Sequence, residues 1–115
     1  GDFAADLPLT MADNAQQKAF VTGAPCVLGA NDLSQARVSV YIDDVLRDQA
    51  SGAEVMGNPI NAIVWLANKL AEFGQAIEAG QRVISGSFTR QYRLAAPARV
   101  RSVFEPFGTV EAQFL

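Results

Sequence analysis

The chain has 115 residues, half of them apolar and 18% charged, which suffices for one domain around one core and excludes a disordered chain. Nine basic residues stand against twelve acidic ones, for a formal charge of −3. Arg90, Arg93, Arg99 and Arg101 gather toward the C-terminus without the broad basic face of a nucleic-acid reader, and the absence of histidine removes every Ser-His and Cys-His nucleophile pair.

The chain opens "GDFAADLPLTMADNAQQKAFVTG", without an initiator methionine, and reads as a segment entered partway. Asp13 or Asn14 can cap a short helix through Phe20, because a side-chain oxygen there accepts a free amide of the first turn, and Gly23 offers a stop. Cys26 follows in "APCVLG". As the single cysteine it forms no intramolecular disulfide and no zinc cluster, and its apolar neighbours suggest a buried, inert thiol in a reducing compartment.

"RVSVYIDDVLRDQAS", Arg37 to Ser51, alternates Val38, Val40 and Ile42 with Ser39 and Tyr41, the period of a strand. Asp43 and Asp44 supply turn chemistry, so a β-hairpin is expected. Adjacent carboxylates on a turn can mimic a metal site, but they face solvent more readily than they converge on an ion.

"GNPINAIVWLANKLAEFG", Gly57 to Gly74, is the one long helix. Ile60, Ile63, Val64, Ala67, Leu70 and Ala71 recur at three- and four-residue spacing, which predicts a packed stripe. Asn58 is the cap, Pro59 suits the first turn, and Gly74 is the left-handed terminator. Trp65 and Phe73 read as core or interface aromatics. The longest apolar run, Ala62 to Ala67, is too short to cross a bilayer, and there is no basic leader, so the expectation is a cytoplasmic protein with neither membrane nor nucleic acid as partner.

A turn at Ala79 to Gln81 precedes an expected strand from Arg82 to Ser85. "ARVRSVFE" and "FGTVEAQFL" supply two more strands, with Gly108 at the turn between them. The C-terminal arginines fit solvated strand edges, or contacts to an acidic ligand or a neighbouring chain. The fold class is α+β, mostly antiparallel strands with one long amphipathic helix, in a single domain over residues 1–115.

Two features offer chemistry. Glu54, in "SGAEVMG", is the carboxylate of most interest, although one acid without a second convergent ligand makes a poor divalent-ion site. "SGSFT", Ser85 to Thr89, can present backbone N–H groups and a hydroxyl to an anion at a strand end, and small polar residues of this kind also build ordinary turns.

"GNPINAIVWLANKLAEFG" followed by "AGQRVISGSFT" closely resembles the C-terminal part of the fumarylacetoacetate hydrolase superfamily, in its 2-hydroxypenta-2,4-dienoate hydratase and 4-oxalocrotonate decarboxylase branch. "ADNA" near Asn14 and "FGTVEAQF" near the end are similar to segments of the same branch, so the resemblance is collinear over nearly the whole chain. It implies that fold, and a lyase of small 2-oxo and 2-hydroxy dienoic acids in aromatic catabolism, in which Mg²⁺ or Mn²⁺ grips the 2-oxo acid and neutralises developing oxygen charge. By the same resemblance Asn14, Ser85, Gly86 and Ser87 border the substrate pocket, and members self-associate as dimers or larger oligomers.

The family's Glu-x-Glu metal ligands and catalytic lysine lie upstream of the region resembled, and none is placed in these residues. The chain alone is therefore expected to bind no metal, and to be the C-terminal portion of a longer hydratase or decarboxylase. The alternative is a non-catalytic binding or assembly protein that keeps the half-fold. Ala96, Pro97 and Ala98 also depart from the Ala-Gly-Asp common in relatives, which changes the turn there.

Overall fold

In the computed structural model the described residues are 19–115. The expected hairpin is present as β1 (Arg37–Ile42) and β2 (Val45–Ser51). Its two-residue loop holds Asp43 at φ 50° and Asp44 at φ 65°, the paired left-handed geometry that matches the twist of the flanking strands. The register runs Val40 opposite Asp48 and then Tyr41 opposite Leu46. Arg47 is thus the extra residue of a β-bulge.

β3 (Ala98–Glu105) pairs antiparallel with β1, and β4 (Gly108–Phe114) pairs antiparallel with β3, giving one sheet in the order β2-β1-β3-β4. The turn residues between β3 and β4 are Pro106 and Phe107, and Gly108, expected in that turn, opens β4 opposite Phe104. Because strand side chains alternate, Val38, Val40 and Ile42 share a face with their partners Phe104, Ser102 and Val100. The opposite face is polar. There Arg101 lies over its cross-strand partner Tyr41, 4.2 Å from the ring centroid, and Arg99 bridges Asp44 and Glu111, the latter at 3.2 Å.

The long helix, α1 (Pro59–Ala71), starts and stops as its sequence specifies. Asn58 accepts the Ile60 N–H at 2.9 Å, and Pro59 occupies the first turn. At the other end Gly74 has φ 70°, its N–H donates to Ala71 C=O, and the Gln75 N–H reaches back to Leu70 C=O, which together form a Schellman motif.

Three expectations are corrected. The α1 stripe is not buried: Pro59 is the helix's buried residue, while Ile60 and Val64 are exposed and Trp65 and Phe73 are 57% and 70% exposed. The helix does not lie on the sheet; it abuts the 3₁₀ turn Leu33–Gln35, so periodicity is satisfied without cover. No strand forms at Arg82–Ser85, because that segment crosses the apolar face of the sheet and has no edge strand beside it. Cys26 is exposed, in a stretch without helix or strand where apolar neighbours in sequence do not fold over it.

The expected helix capped by Asp13 or Asn14 lies outside the described residues except for Ala19 and Phe20, which are not helical. The buried core is small: Ala36, Val38, Val40, Val55 and Ala98. Ala36, Val38, Val40 and Val55 sit toward the end of the sheet that meets the 3₁₀ turns Leu33–Gln35 and Gly52–Glu54, whereas Ala98 lies at the other end, at the start of β3. Among the described residues no helix is long and apolar enough to cross a membrane.

Candidate functional site

Gln75 to Pro97 forms neither helix nor strand and carries the Ser85-Gly86-Ser87 turn over the sheet. Gly86 has φ 124°, a conformation side chains rarely adopt, and a Cβ there would stand 3.3 Å from Val55 Cγ1. The Ser87 hydroxyl donates to Thr89 C=O at 2.6 Å, which closes the turn. Phe88 then sets its ring edge-to-face on Phe104, 6.1 Å between centroids and 72° between planes, so an apolar side chain fixes the turn to β3.

Between this turn and the sheet lies an open hollow of about 490 Å³. Its floor is Val38, Val40 and Phe104, and its polar groups are the hydroxyls of Ser85, Ser87, Thr89 and Ser102. No charged side chain lines it. Among the described residues the N–H groups of Ser85, Gly86 and Ser87 have no hydrogen-bond acceptor. The arrangement therefore suits a carboxylate held by hydroxyls and backbone N–H groups with its carbon chain against the valines, and it offers no base to move a proton.

The sequence-predicted residues divide accordingly. Ser85, Gly86 and Ser87 come together at the hollow, and Asn14 lies outside the described residues. Asp43 and Asp44 are engaged elsewhere, with Arg99 on the polar face. Glu54 is exposed at the end of a 3₁₀ turn. Among the described residues no three carboxylate or cysteine groups converge as ion ligands. The described residues do not by themselves fit a divalent-ion site, and no step of chemistry is assigned through one.

A second hollow of about 310 Å³ adjoins the first on the same face, sharing Val40 and Ser102, and has Tyr92 and Leu94 at its rim. Tyr92 is the residue that sequence reasoning missed. Its hydroxyl accepts from Arg90 Nε at 3.0 Å and lies 3.1 Å from both Arg47 C=O and Asp48 Oδ2. The hydrogen bond to Tyr92 holds the Arg90 guanidinium further on its charged side. The sequence carried no signal for it: unbroken pairing from the Asp43-Asp44 turn would set Arg47 opposite Val40, and it is the bulge that brings Asp48 there.

No family model matches the chain. It is 31% identical over 106 residues to a 2-keto-4-pentenoate hydratase of Paraburkholderia phymatum, and 36% identical over 106 residues to a 2-hydroxyhexa-2,4-dienoate hydratase of Comamonas testosteroni, covering 91% of this chain and 40% of the relative in each case. The 4-oxalocrotonate decarboxylase of Pseudomonas putida G7, solved with calcium and acetate and with magnesium and adipate, superposes with a TM-score of 0.85 at 31% identity over 92% of this chain and 41% of its own. The chain thus spans about two fifths of the length of the relatives it matches. As its helix and SGS motifs imply, the protein is a homologue of the C-terminal part of the 2-keto-4-pentenoate hydratases and 4-oxalocrotonate decarboxylases.

Proposed function

We propose that this chain is a single structural unit that supplies the carboxylate-binding wall of a metal-dependent hydratase or decarboxylase for small 2-oxo and 2-hydroxy dienoic acids. The observation that carries this reading is the hollow of about 490 Å³ in which the Ser85-Gly86-Ser87 turn faces an apolar floor. Backbone N–H groups of this turn and the Ser85 hydroxyl hold the substrate carboxylate, and Val38, Val40 and Phe104 take its hydrocarbon chain. Resemblance to the family assigns Asn14 to the same substrate. The divalent cation, Mg²⁺ or Mn²⁺, and the proton-transferring lysine come from outside these 115 residues, and the working assembly contains more than one copy.

The supporting facts are the hydratase and decarboxylase names of the relatives, and the magnesium and adipate of the matching structure. Chemistry at the metal belongs to the complete site, whereas orientation of the acid and exclusion of water from its chain belong to the residues described here.

The test is Mg²⁺-dependent turnover of 2-hydroxypentadienoate by the chain alone and together with a polypeptide corresponding to the remaining part of a relative. The expected result is turnover in the combination only, reduced about tenfold or more by Ser85→Ala, the loss of a hydrogen bond to a charged group. Robust turnover by the chain alone would refute the reading.

A further inference from the structure

The turn proposed to bind the carboxylate has an unusual attachment. Among the described residues, no backbone hydrogen bond joins Arg82 to Pro97 to the sheet. The side-chain hydrogen bonds that do so come from one residue, Tyr92, and span 44 and 45 positions of sequence to reach Asp48 and Arg47. We propose that Tyr92 is a positioning residue, a latch that holds the Ser85-Gly86-Ser87 turn over the sheet.

Two features of the sheet and one neighbouring arginine build the receptor for this latch. The bulge at Arg47 takes that residue out of the cross-strand register, which leaves its carbonyl oxygen available to the phenol at 3.1 Å. The register after the bulge places Asp48 opposite Val40, so a half-buried carboxylate stands on the mainly apolar face. Arg90 completes the set: its Nε donates to the phenol oxygen at 3.0 Å, and its guanidinium carbon lies 4.9 Å from the Tyr92 ring centroid. The hydroxyl proton is therefore directed away from Arg90, toward the two oxygens of β2.

The latch acts together with the Phe88–Phe104 contact. Phe88 follows the turn directly and anchors it to β3, while Tyr92, four residues further on, anchors the chain to the far edge of the sheet at β2. Two anchors on different strands fix both the height and the direction of the turn, which one anchor does not. The bearing of the latch on 2-oxo acid binding rests on the function proposed above; the latch itself does not.

The test uses the whole 115-residue chain without substrate, so failure of the proposed activity leaves it standing. Tyr92→Phe keeps the ring and removes the hydroxyl. It is expected to speed tryptic cleavage after Arg90 and Arg93 by roughly three- to tenfold, the population change that accompanies loss of one such hydrogen bond. Backbone order parameters from Ser85 to Thr89 are expected to fall toward the flexible range, below about 0.6, while those of β1 and β3 stay near the rigid value of about 0.85. Asp48→Asn, which keeps an oxygen acceptor, is expected to retain slow cleavage, with Asp48→Ala between the two because Arg47 C=O remains. Unchanged cleavage in Tyr92→Phe would overturn the proposal, as would a loss of order shared equally by β1 and β3.

Discussion

Gly52 and Leu33 meet backbone to backbone: a Cβ on Gly52 would stand 1.8 Å from the Leu33 carbonyl oxygen and 2.9 Å from its carbonyl carbon. Gly52 also donates its N–H to Ala36 C=O at 2.8 Å, so the approach is held by a hydrogen bond on one side and leaves no room on the other.

Gly52→Ala is accordingly expected to destabilise the chain by about 2–3 kcal/mol, because the obstructing atom is backbone and cannot rotate away. Gly74→Ala is the control. Gly74 has φ 70° and open space around its missing Cβ, so only the left-handed backbone is penalised, by about 1 kcal/mol. Urea unfolding with the slope checked for constancy separates the two.

Asp43 is bound to Arg99 by a reciprocal pair: its N–H donates to Arg99 C=O and its Oδ1 accepts the Arg99 N–H, both at 2.9 Å. This carboxylate, one of the two that invited a metal reading, closes the end of β3 against the hairpin turn. Asp43→Asn keeps the acceptor and tolerates φ 50°, and should leave the melting temperature within a few degrees. Asp43→Ala loses the bond and fits the turn poorly, at a cost of about 1–2 kcal/mol, and its melting temperature should fall clearly below that of Asp43→Asn.

The hairpin and the caps of α1 were legible because each is a local decision. Asn58, Pro59 and Gly74 satisfy amides and carbonyls within a few residues, whatever the rest of the chain does. The strand at Arg82–Ser85 was not, since a strand exists only beside a partner and its sequence contains no information on whether one is present. The same limit hid the exposure of the α1 stripe: periodicity says which face wants cover and not what supplies it. At the candidate site the SGS turn was visible as a motif, whereas the Tyr92–Asp48 bond depends on a bulge at Arg47 that nothing in the alternation announces.

Asp32 caps the 3₁₀ turn Leu33–Gln35. Its Oδ1 accepts from the Ser34 hydroxyl at 2.7 Å and the Ser34 N–H at 2.9 Å, and also from Asn58 Nδ2 at 3.2 Å, linking that turn to the start of α1. The Ser34 hydroxyl first, and then the Ser34 N–H, hold its carboxyl below the ordinary value of 3.8. A depressed folded-state pKa means that its stabilisation is complete above the unfolded value and is lost as pH falls through the folded one. Asp32→Asn should therefore be less stable than the parent at neutral pH and should converge with it in acid, as pH falls below the ordinary value of 3.8 and through the lowered folded-state one. Parallel denaturation curves across pH check this, and a difference that persists unchanged in acid would assign the effect to something other than the charge.

Most of the stability is expected to reside in the sheet rather than in the helix, which reverses the ranking that apolar content suggests. Val64 and Trp65 are 51% and 57% exposed, whereas Val38 and Val40 are 3% and 9% exposed. Val38→Ala removes buried methyl groups from a small core and is expected to cost about 1–2 kcal/mol. Val64→Lys and Trp65→Lys exchange surface for surface, and each should leave unfolding free energy within about 0.5 kcal/mol of the parent. Long charged side chains also break up the open apolar face of α1, so the double variant should show less concentration-dependent association in sedimentation experiments. A large loss of stability in Val64→Lys would mean that this face is covered in solution by another surface, and the comparison with Val38→Ala at several protein concentrations distinguishes the two, since cover by a second copy makes the loss depend on concentration and an intramolecular core does not.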